Sequence, residues 1–172
     1  IDLRGNSGGD VSGAVGVLSL VLAPGSDLFA EQSGSQSDTL PKLIKSKDYA
    51  DLRTFIHAEV REPLRSLPLA VLLDHESAGA SEAFAAAIRS NGRGLLVGER
   101  THGSSIIRTL KPLPSGSYQH VLLIATGALL PAGKGQVQSW QDAGLLPDVL
   151  QAGATPEEVL EAAKKALLTS AR

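Results

Sequence analysis

The chain has 172 residues, which is enough for one domain with a substantial buried core. A net charge of -2 without a long basic run argues against a nucleic-acid partner, and no apolar run reaches the ~18 residues that a membrane span needs. Cysteine is absent, which excludes disulfides, thiolate metal sites and a cysteine nucleophile.

The first third of the chain predicts a strand end, a helix and an insertion. Residues 1–3 are typical of the last residues of a strand, so we expect the chain to be an N-terminally truncated part of a longer protein. Asp10 is placed to cap a helix over 11–22. Residues 31–67 are predicted to be an insertion that starts as a polar loop and becomes a charged helical segment from Leu40. That segment is either a solvated insertion or a lid that docks a partner.

The middle of the chain alternates strands with a helix. Residues 69–73 and 94–98 are short apolar runs, typical of buried parallel strands, and a helix is predicted between them at 80–90. This order favours an α/β fold. The later elements predicted are a hairpin of strands 106–113 and 118–126, a loop over 129–138, a closing strand after 147 and a helix over 156–168. The expected core consists of strands near 68–73, 94–98 and 118–125, backed by helices near 11–22, 80–90 and 156–168.

Five short motifs carry the functional signal. They are residues 2–9 (Asp-Leu-Arg-Gly-Asn-Ser-Gly-Gly), 77–82 (Ser-Ala-Gly-Ala-Ser-Glu), 98–104 (Gly-Glu-Arg-Thr-His-Gly-Ser), 130–133 (Leu-Pro-Ala-Gly) and 144–149 (Gly-Leu-Leu-Pro-Asp-Val). Together, and in this order, they resemble the tail-specific, or C-terminal processing, serine peptidases, an S41-like family. The likeness covers about residues 1–25 and 68–150.

The resemblance implies a single domain over residues 1–172, α/β in class, with the crotonase/ClpP-like core of the tail-specific peptidase catalytic domain. In that family a serine in the second motif is the nucleophile, a lysine 25 residues later is the base, and a glutamine orients the lysine. Two backbone N–H groups form the oxyanion hole. The oxyanion and peptide-binding positions fall here on Gly8, Gly9 and Ala80.

The chain departs from the family at all three reactive positions, which hold Gly79, Ser104 and Arg108. Glycine offers no nucleophile, a serine hydroxyl is too weak a base at neutral pH, and a guanidinium stays protonated. Losing nucleophile and base together removes on the order of 10⁶ in rate from a serine hydrolase. We therefore expect a domain that has lost Ser/Lys catalysis and serves as a peptide-binding or scaffold module.

The alternative is an active serine-type endopeptidase that cleaves near protein C-termini with a relocated nucleophile. The fallback residues are Ser77 and Ser81, with His102 as base, and a Ser104–His75 pair is a further option. Ser77 and Ser81 flank the vacant position at two residues on either side. Because two residues turn a helix by about 200°, neither hydroxyl is expected to point where the missing one would.

No cofactor or metal ion is predicted. Asp74, His75, Glu76 and His102 suit a metal by residue type, but no spacing motif supports one. By resemblance, the expected partner is a polypeptide or a protein C-terminus, and the expected location is extracytoplasmic, periplasmic or secreted. The crotonase-like core alone leaves acyl-group or apolar-ligand binding as a third hypothesis. Trp140 is expected at a loop edge.

Overall fold

The computed structural model describes residues 1–34, 40–46, 63–113, 120–132 and 139–170. Within these ranges the longer helices are α1 (Val11–Val21), α2 (Ala80–Ser90) and α3 (Pro156–Ser170). The strands are β1 (Asp27–Ser33), β2 (Lys42–Lys45), β3 (Ala70–Leu73), β4 (Leu95–Gly98), β5 (Ile106–Leu113), β6 (His120–Pro131) and β7 (Val149–Leu150). Among these residues, no helix combines the length and the apolar character needed to cross a bilayer.

Two sheets organise the chain. β3, β4 and β7 form a parallel sheet in the order β3-β4-β7, and a bridge from Asp2 to Leu72 extends it on the β3 side. β2, β1, β6 and β5 form an antiparallel sheet in that order. Parallel neighbours need a crossover connection, and α2 supplies it between β3 and β4. The α/β class predicted from the sequence is therefore confirmed.

Helix α2 is the central element of the fold. Each of its residues from Ser81 to Ile88 is buried, and it packs against α1, β1, β4 and β6. A helix that is apolar all round must lie inside the protein, and four alanines allow its neighbours to approach closely. Helix α3 packs against the parallel strands instead, where Val159 and Ala163 join a second, smaller apolar cluster.

The prediction for residues 31–67 was wrong at residues 31–33 and 42–45. Residues 31–33 belong to β1, and Lys42–Lys45 is a strand where a helix was expected. The cause is tertiary pairing: β1 carries buried Leu28 and Phe29 and lies between β2 and β6, so the local charge pattern did not decide the structure. Residues 63–66 are helical, while 35–39 and 47–62 lie outside the described residues.

Strand β6 also differs from expectation. It continues through Pro131, because residues 127–131 pair with β1, so residues 129–131 are not a loop. Its outer half was expected in the core, yet the successive residues Val121 to Ile124 are all exposed. Successive residues point to opposite faces of a strand, so both faces of this part are open. The hairpin pairing of β5 with β6 is confirmed, and its tip, 114–119, lies outside the described residues.

The other predicted elements are confirmed closely. α1, α2 and α3 match the predicted helices, and β3, β4 and β7 match the predicted buried and closing strands. The Asp10 carboxylate caps α1 by accepting the Ser12 N–H at 2.9 Å. Thr155 and Glu158 cap α3 reciprocally, since each side chain accepts the other's backbone N–H.

Two glycine substitutions test this architecture. Gly98 ends β4 with φ at +127°, and a Cβ there would clash with the backbone carbonyl of Leu73 on β3. We expect Gly98→Ala to lower the free energy of unfolding by about 2–4 kcal/mol, measured by urea denaturation. Gly13→Ala is the matched control, because Gly13 lies in α1 with open space around it. The control should gain about 0.5–1 kcal/mol. Equal effects at both positions would contradict the close approach of β3 and β4.

Candidate functional site

A cleft of about 670 Å³ opens at the N-terminus of α2. It contains all three of the degenerate reactive positions that the sequence singled out, Gly79, Ser104 and Arg108. The structure thus brings together positions that are up to 29 residues apart in the chain. The rest of the wall comes from the start of α1 and from the antiparallel sheet: Ser7, Gly9, Asp10, Val11, Ser12, Val15, Glu31, Lys42, Ile44, Ala80, Ile106, Ile107 and Leu129.

The turn at Gly79 has the shape of a nucleophile turn without the nucleophile. Its backbone lies at φ 57° and ψ -115°, a conformation that residues with side chains rarely adopt, immediately before α2. A Cβ added there would lie 3.8 Å from the Ser7 carbonyl oxygen and 3.9 Å from the Gly8 Cα, both ordinary contacts. A strained turn into a helix is how serine hydrolases expose a reactive hydroxyl. The space for that side chain is present, and the side chain is not.

The carboxylate of Glu82 fixes the two reactive positions relative to each other. It is completely buried on α2 and accepts four hydrogen bonds. One oxygen accepts the N–H groups of Gly79 at 3.0 Å and Ser104 at 2.7 Å. The other accepts the Gly103 N–H at 2.7 Å and the Thr101 hydroxyl. A buried carboxylate with this many donors is satisfied, and it holds the turn at 79 against the loop at 101–104.

Further contacts tie the same loop to the later motifs. The Leu145 N–H donates to the Thr101 hydroxyl oxygen at 2.7 Å, which turns that hydroxyl's proton toward Glu82. The Trp140 indole N–H lies 3.4 Å from the Ser104 carbonyl oxygen. Trp140 is completely buried, so its expected place at a loop edge was wrong. The motif at 144–149 therefore supports the loop at 101–104, and its residues do not line the cleft.

The predicted oxyanion donors are not equivalent in the structure. The Gly8 N–H donates to the Asn6 side-chain oxygen at 3.0 Å, so it is occupied. The N–H groups of Gly9 and Ala80 form no hydrogen bond within the described ranges, and both residues line the cleft. The Ala80 N–H also lies in the first turn of α2, where the helix dipole favours negative charge. Gly8 has a packing role, because a Cβ there would lie 2.9 Å from the Ala78 carbonyl oxygen.

The side chains that replace the base and its orienting group are both unengaged. Neither the Ser104 hydroxyl nor the Arg108 guanidinium has a hydrogen bond or ion pair to any residue that the structure describes. Arg108 follows an irregularity in the pairing of β5 with β6, between Ile107 and Arg108. Such bulges redirect side chains. Arg108 lines both the cleft and an adjoining cavity of about 580 Å³.

The fallback nucleophiles do not reach the cleft. Ser77 is completely buried, and its hydroxyl donates to the Leu3 carbonyl oxygen at 2.8 Å. Ser81 is buried and lines a separate apolar cavity beside Phe84. These placements agree with the expectation that neither hydroxyl points toward the vacant position. Their role is to hold the turn and the start of α2 in place.

The two candidate histidines, His102 and His75, do not form the proposed pairs with a serine. His102 shares the adjoining cavity with Ser104, but no hydrogen bond joins the two side chains. His75 lies on the surface and faces Glu99 at 3.3 Å, so a Ser104–His75 pair is not formed. The four residues considered for a metal, namely Asp74, His75, Glu76 and His102, do not form a metal-ligating group in the described part of the chain.

Hydrogen bonds lower the pKa of two carboxyl groups near the start of the chain, those of Asp2 and Asp10. The hydroxyl and N–H of Ser12 lower the pKa of Asp10, whose two oxygens they occupy. The Arg4 guanidinium lowers the pKa of Asp2 by hydrogen bonding, against a smaller opposing effect of burial. Arg4 also donates to the Pro156 carbonyl oxygen at 2.9 Å, which connects the first motif to the start of α3.

Sequence reasoning missed how much depends on Glu82. The carboxylate accepts the Gly79 N–H at the start of α2, and its bonds to residues 101–104 were not predicted. One signal was available. Glu82 precedes an unbroken apolar run from Ala83 to Ile88, and a carboxylate on a buried helix must have partners elsewhere in the fold.

Lys42 and Glu31 also line the cleft, and they were missed because their segment was predicted to be an insertion.

The model of the family described as Peptidase family S41 matches residues 1–150. The chain belongs to the S41 peptidase family. It is 31% identical over 117 residues to the chloroplastic carboxyl-terminal-processing peptidase 1 of Arabidopsis thaliana, and 44% identical over 61 residues to the carboxyl-terminal-processing protease of a Picosynechococcus strain. Among solved structures, the photosystem II D1 C-terminal processing protease is similar with a TM-score of 0.65 at 27% identity, covering 96% of this chain.

These S41 relatives are much longer than the region compared. The matches cover 68% of this chain and 21% of the Arabidopsis protein, and 36% of this chain and 15% of the Picosynechococcus protein. The solved protease is covered over 37% of its length. The likeness therefore concerns a part of each relative that corresponds to the S41 peptidase region.

Replacing the carboxylate at the centre of this frame tests its role. In Glu82→Gln, an amide NH₂ replaces one carboxylate oxygen and faces donors, so two of the four donors lose their acceptor. We expect a loss of about 3 kcal/mol in the free energy of unfolding, measured by urea denaturation.

Glu158→Gln is the matched control for that substitution. Glu158 also accepts an N–H at a helix start, at 2.7 Å from Thr155, but it is exposed. Its loss should be about 0.5 kcal/mol. If Glu82→Gln cost no more than this control, the carboxylate would not be what joins the two turns.

Proposed function

We propose that this S41 domain binds polypeptide without cleaving it by Ser/Lys chemistry. The observation that carries the proposal is the open cleft at Gly79 and Ser104. It retains unpaired N–H groups at Gly9 and Ala80 while holding no nucleophile at the position the family uses. A cleft kept open without reactive groups is what a binding module needs.

The absence of catalysis is argued from the side chains present. Position 79 has no hydroxyl, and the hydroxyl at 104 cannot remove a proton at neutral pH. Two amines or guanidines line the cleft, Lys42 and Arg108, but neither faces a serine held at the α2 turn. Ser77 is enclosed and Ser81 lies on another side of the helix start. The nucleophile and the base of a Ser/Lys mechanism are thus lacking together.

Binding is supported by the shape and polarity of the wall. The free N–H groups of Gly9 and Ala80 match the carbonyl oxygens of an extended chain, and the open space around Gly9 allows a backbone to approach closely. The apolar side chains of Val11, Ile44 and Leu129 provide contact surface in the same cleft. A volume of about 670 Å³ is within the range of binding pockets for small ligands and short peptides.

The wider context of the proposal follows from family membership. We take residues 1–172 as one domain, because α2 packs on both sheets. The proposed partner is a polypeptide or protein C-terminus, since the relatives are named as carboxyl-terminal processing enzymes. The proposed location is outside the cytoplasm, and no cofactor is part of the proposal.

A cleft-filling variant tests binding. The wild-type protein should bind a fluorescein-labelled short Ala/Leu peptide in an anisotropy titration, and mass spectrometry should recover the peptide intact. Ser104→Trp fills the cleft and should weaken binding at least about tenfold. Ser139→Trp places the same side chain on an exposed residue outside the cleft and should leave the affinity unchanged. Equal affinity in both variants, or no binding by the wild type, would refute the proposal.

A restored variant tests whether the frame is still suitable for chemistry. Gly79→Ser combined with Ser104→Lys and Arg108→Gln supplies nucleophile, base and orienting amide, and should release fluorescence from labelled casein above the wild-type background. The control carries Gly79→Ala with the same two other changes, so that the backbone strain is equal and only the hydroxyl is missing. Activity in both triple variants, or in neither while peptide binding persists, would contradict retention of the frame.

A further inference from the structure

Arg108 is a charged group without a partner beside the cleft. Its guanidinium makes no hydrogen bond or ion pair with any described residue. The other arginines whose contacts are described are occupied: Arg4 with Asp2, Arg89 with Asp148, Arg93 with the Val21, Leu64 and Leu67 carbonyls, and Arg100 with the Ala143 carbonyl. An unpaired guanidinium at the junction of two cavities offers up to five donors to a ligand.

The remaining charges near Arg108 do not neutralise it. Within the cleft, both oxygens of Asp10 are occupied by Ser12. Glu31 lies opposite Lys42 in the pairing of β1 with β2, so these two charges are neighbours. Glu76 lines the adjoining cavity but forms no ion pair with Arg108. Lys42 also forms no ion pair with a described residue, but it does not line the adjoining cavity, so Arg108 is the cation that the cleft and that cavity share.

We propose that Arg108 binds the free α-carboxylate of a polypeptide whose chain ends in the cleft. This rests on the proposed peptide-binding function and adds to it the feature that is recognised. A guanidinium pairs with a carboxylate through two parallel N–H···O bonds, which gives direction as well as attraction. The hydroxyl of Ser104, also unengaged and lining the same two cavities, is a further donor to such a carboxylate.

The structure favours a chain end over an acidic side chain. The cleft that Arg108 lines also holds the backbone N–H groups of Gly9 and Ala80, which recognise main chain whatever its sequence. Among polypeptide anions, only the terminal carboxylate accompanies every sequence. Recognition of main chain and chain end together needs no particular side chain in the ligand. The carboxylates of Asp10 and Glu31 in the same wall would also disfavour an acidic ligand side chain along the rest of the cleft.

The test compares one short Ala/Leu peptide as its free acid and as its C-terminal amide, by anisotropy at constant ionic strength. The wild-type protein should bind the acid about five- to tenfold more tightly than the amide. Arg108→Gln should abolish that preference, because the affinity for the acid falls to the level of the affinity for the amide. Lys111→Gln is the matched control, since it removes the same charge from the same strand at an exposed residue outside both cavities, and should keep the preference.

The outcomes separate this inference from the function on which it rests. Equal binding of acid and amide by the wild type would overturn the role of Arg108 and leave peptide binding intact. No binding of either peptide would overturn the proposed function itself. A third ligand, an amidated peptide with one internal Asp, completes the comparison. If it bound as tightly as the free acid, Arg108 would read a side-chain carboxylate, and recognition of the chain end would be wrong.

Discussion

One buried carboxylate holds the site of this protein together. Glu82 joins the turn before α2 to the loop at 101–104 through four donors, and through Thr101 it reaches Leu145 in a motif more than sixty residues away. Breaking such a network leaves several polar groups buried without partners, so we expect its hydrogen bonds to form or to be lost together. The positions of Gly79 and Ser104 are consequences of this bonding rather than of their own side chains.

Under the proposed loss of Ser/Lys catalysis, these bonds explain why the shape of the cleft does not depend on the side chains at positions 79 and 104. The bonds that shape the cleft run to backbone N–H groups of residues 79, 103 and 104, and any residue with an N–H can make them. A serine and a lysine at positions 79 and 104 would add reactivity without adding to these bonds. The turn at position 79 also has room for a side chain, since a Cβ at Gly79 would meet only ordinary contacts.

The sequence predicted the parts of the fold whose signals are local. Helix α2 and strands β3 and β4 were placed within a residue or two, since capping and short apolar runs lie within single segments. Strands β1 and β2 were missed because their stability comes from pairing with β6, which is far away in the chain. For the site, the motifs located Gly79, Ser104 and Arg108. They could not reveal contacts that form only in three dimensions. Examples are the hydrogen bond from the Gly8 N–H to Asn6, the contact of the Trp140 indole with the Ser104 carbonyl oxygen, and the lack of a partner for Arg108 among the described residues.

The most direct test of the central claim, a formed cleft without a reactive serine, is covalent labelling of the wild-type protein with a fluorophosphonate probe, followed by intact-mass spectrometry. The account predicts no adduct under conditions in which an active serine hydrolase is fully modified. A stoichiometric adduct that disappears on Ser104→Ala or Ser7→Ala, the two serine hydroxyls lining both the cleft and its adjoining cavity, would contradict it.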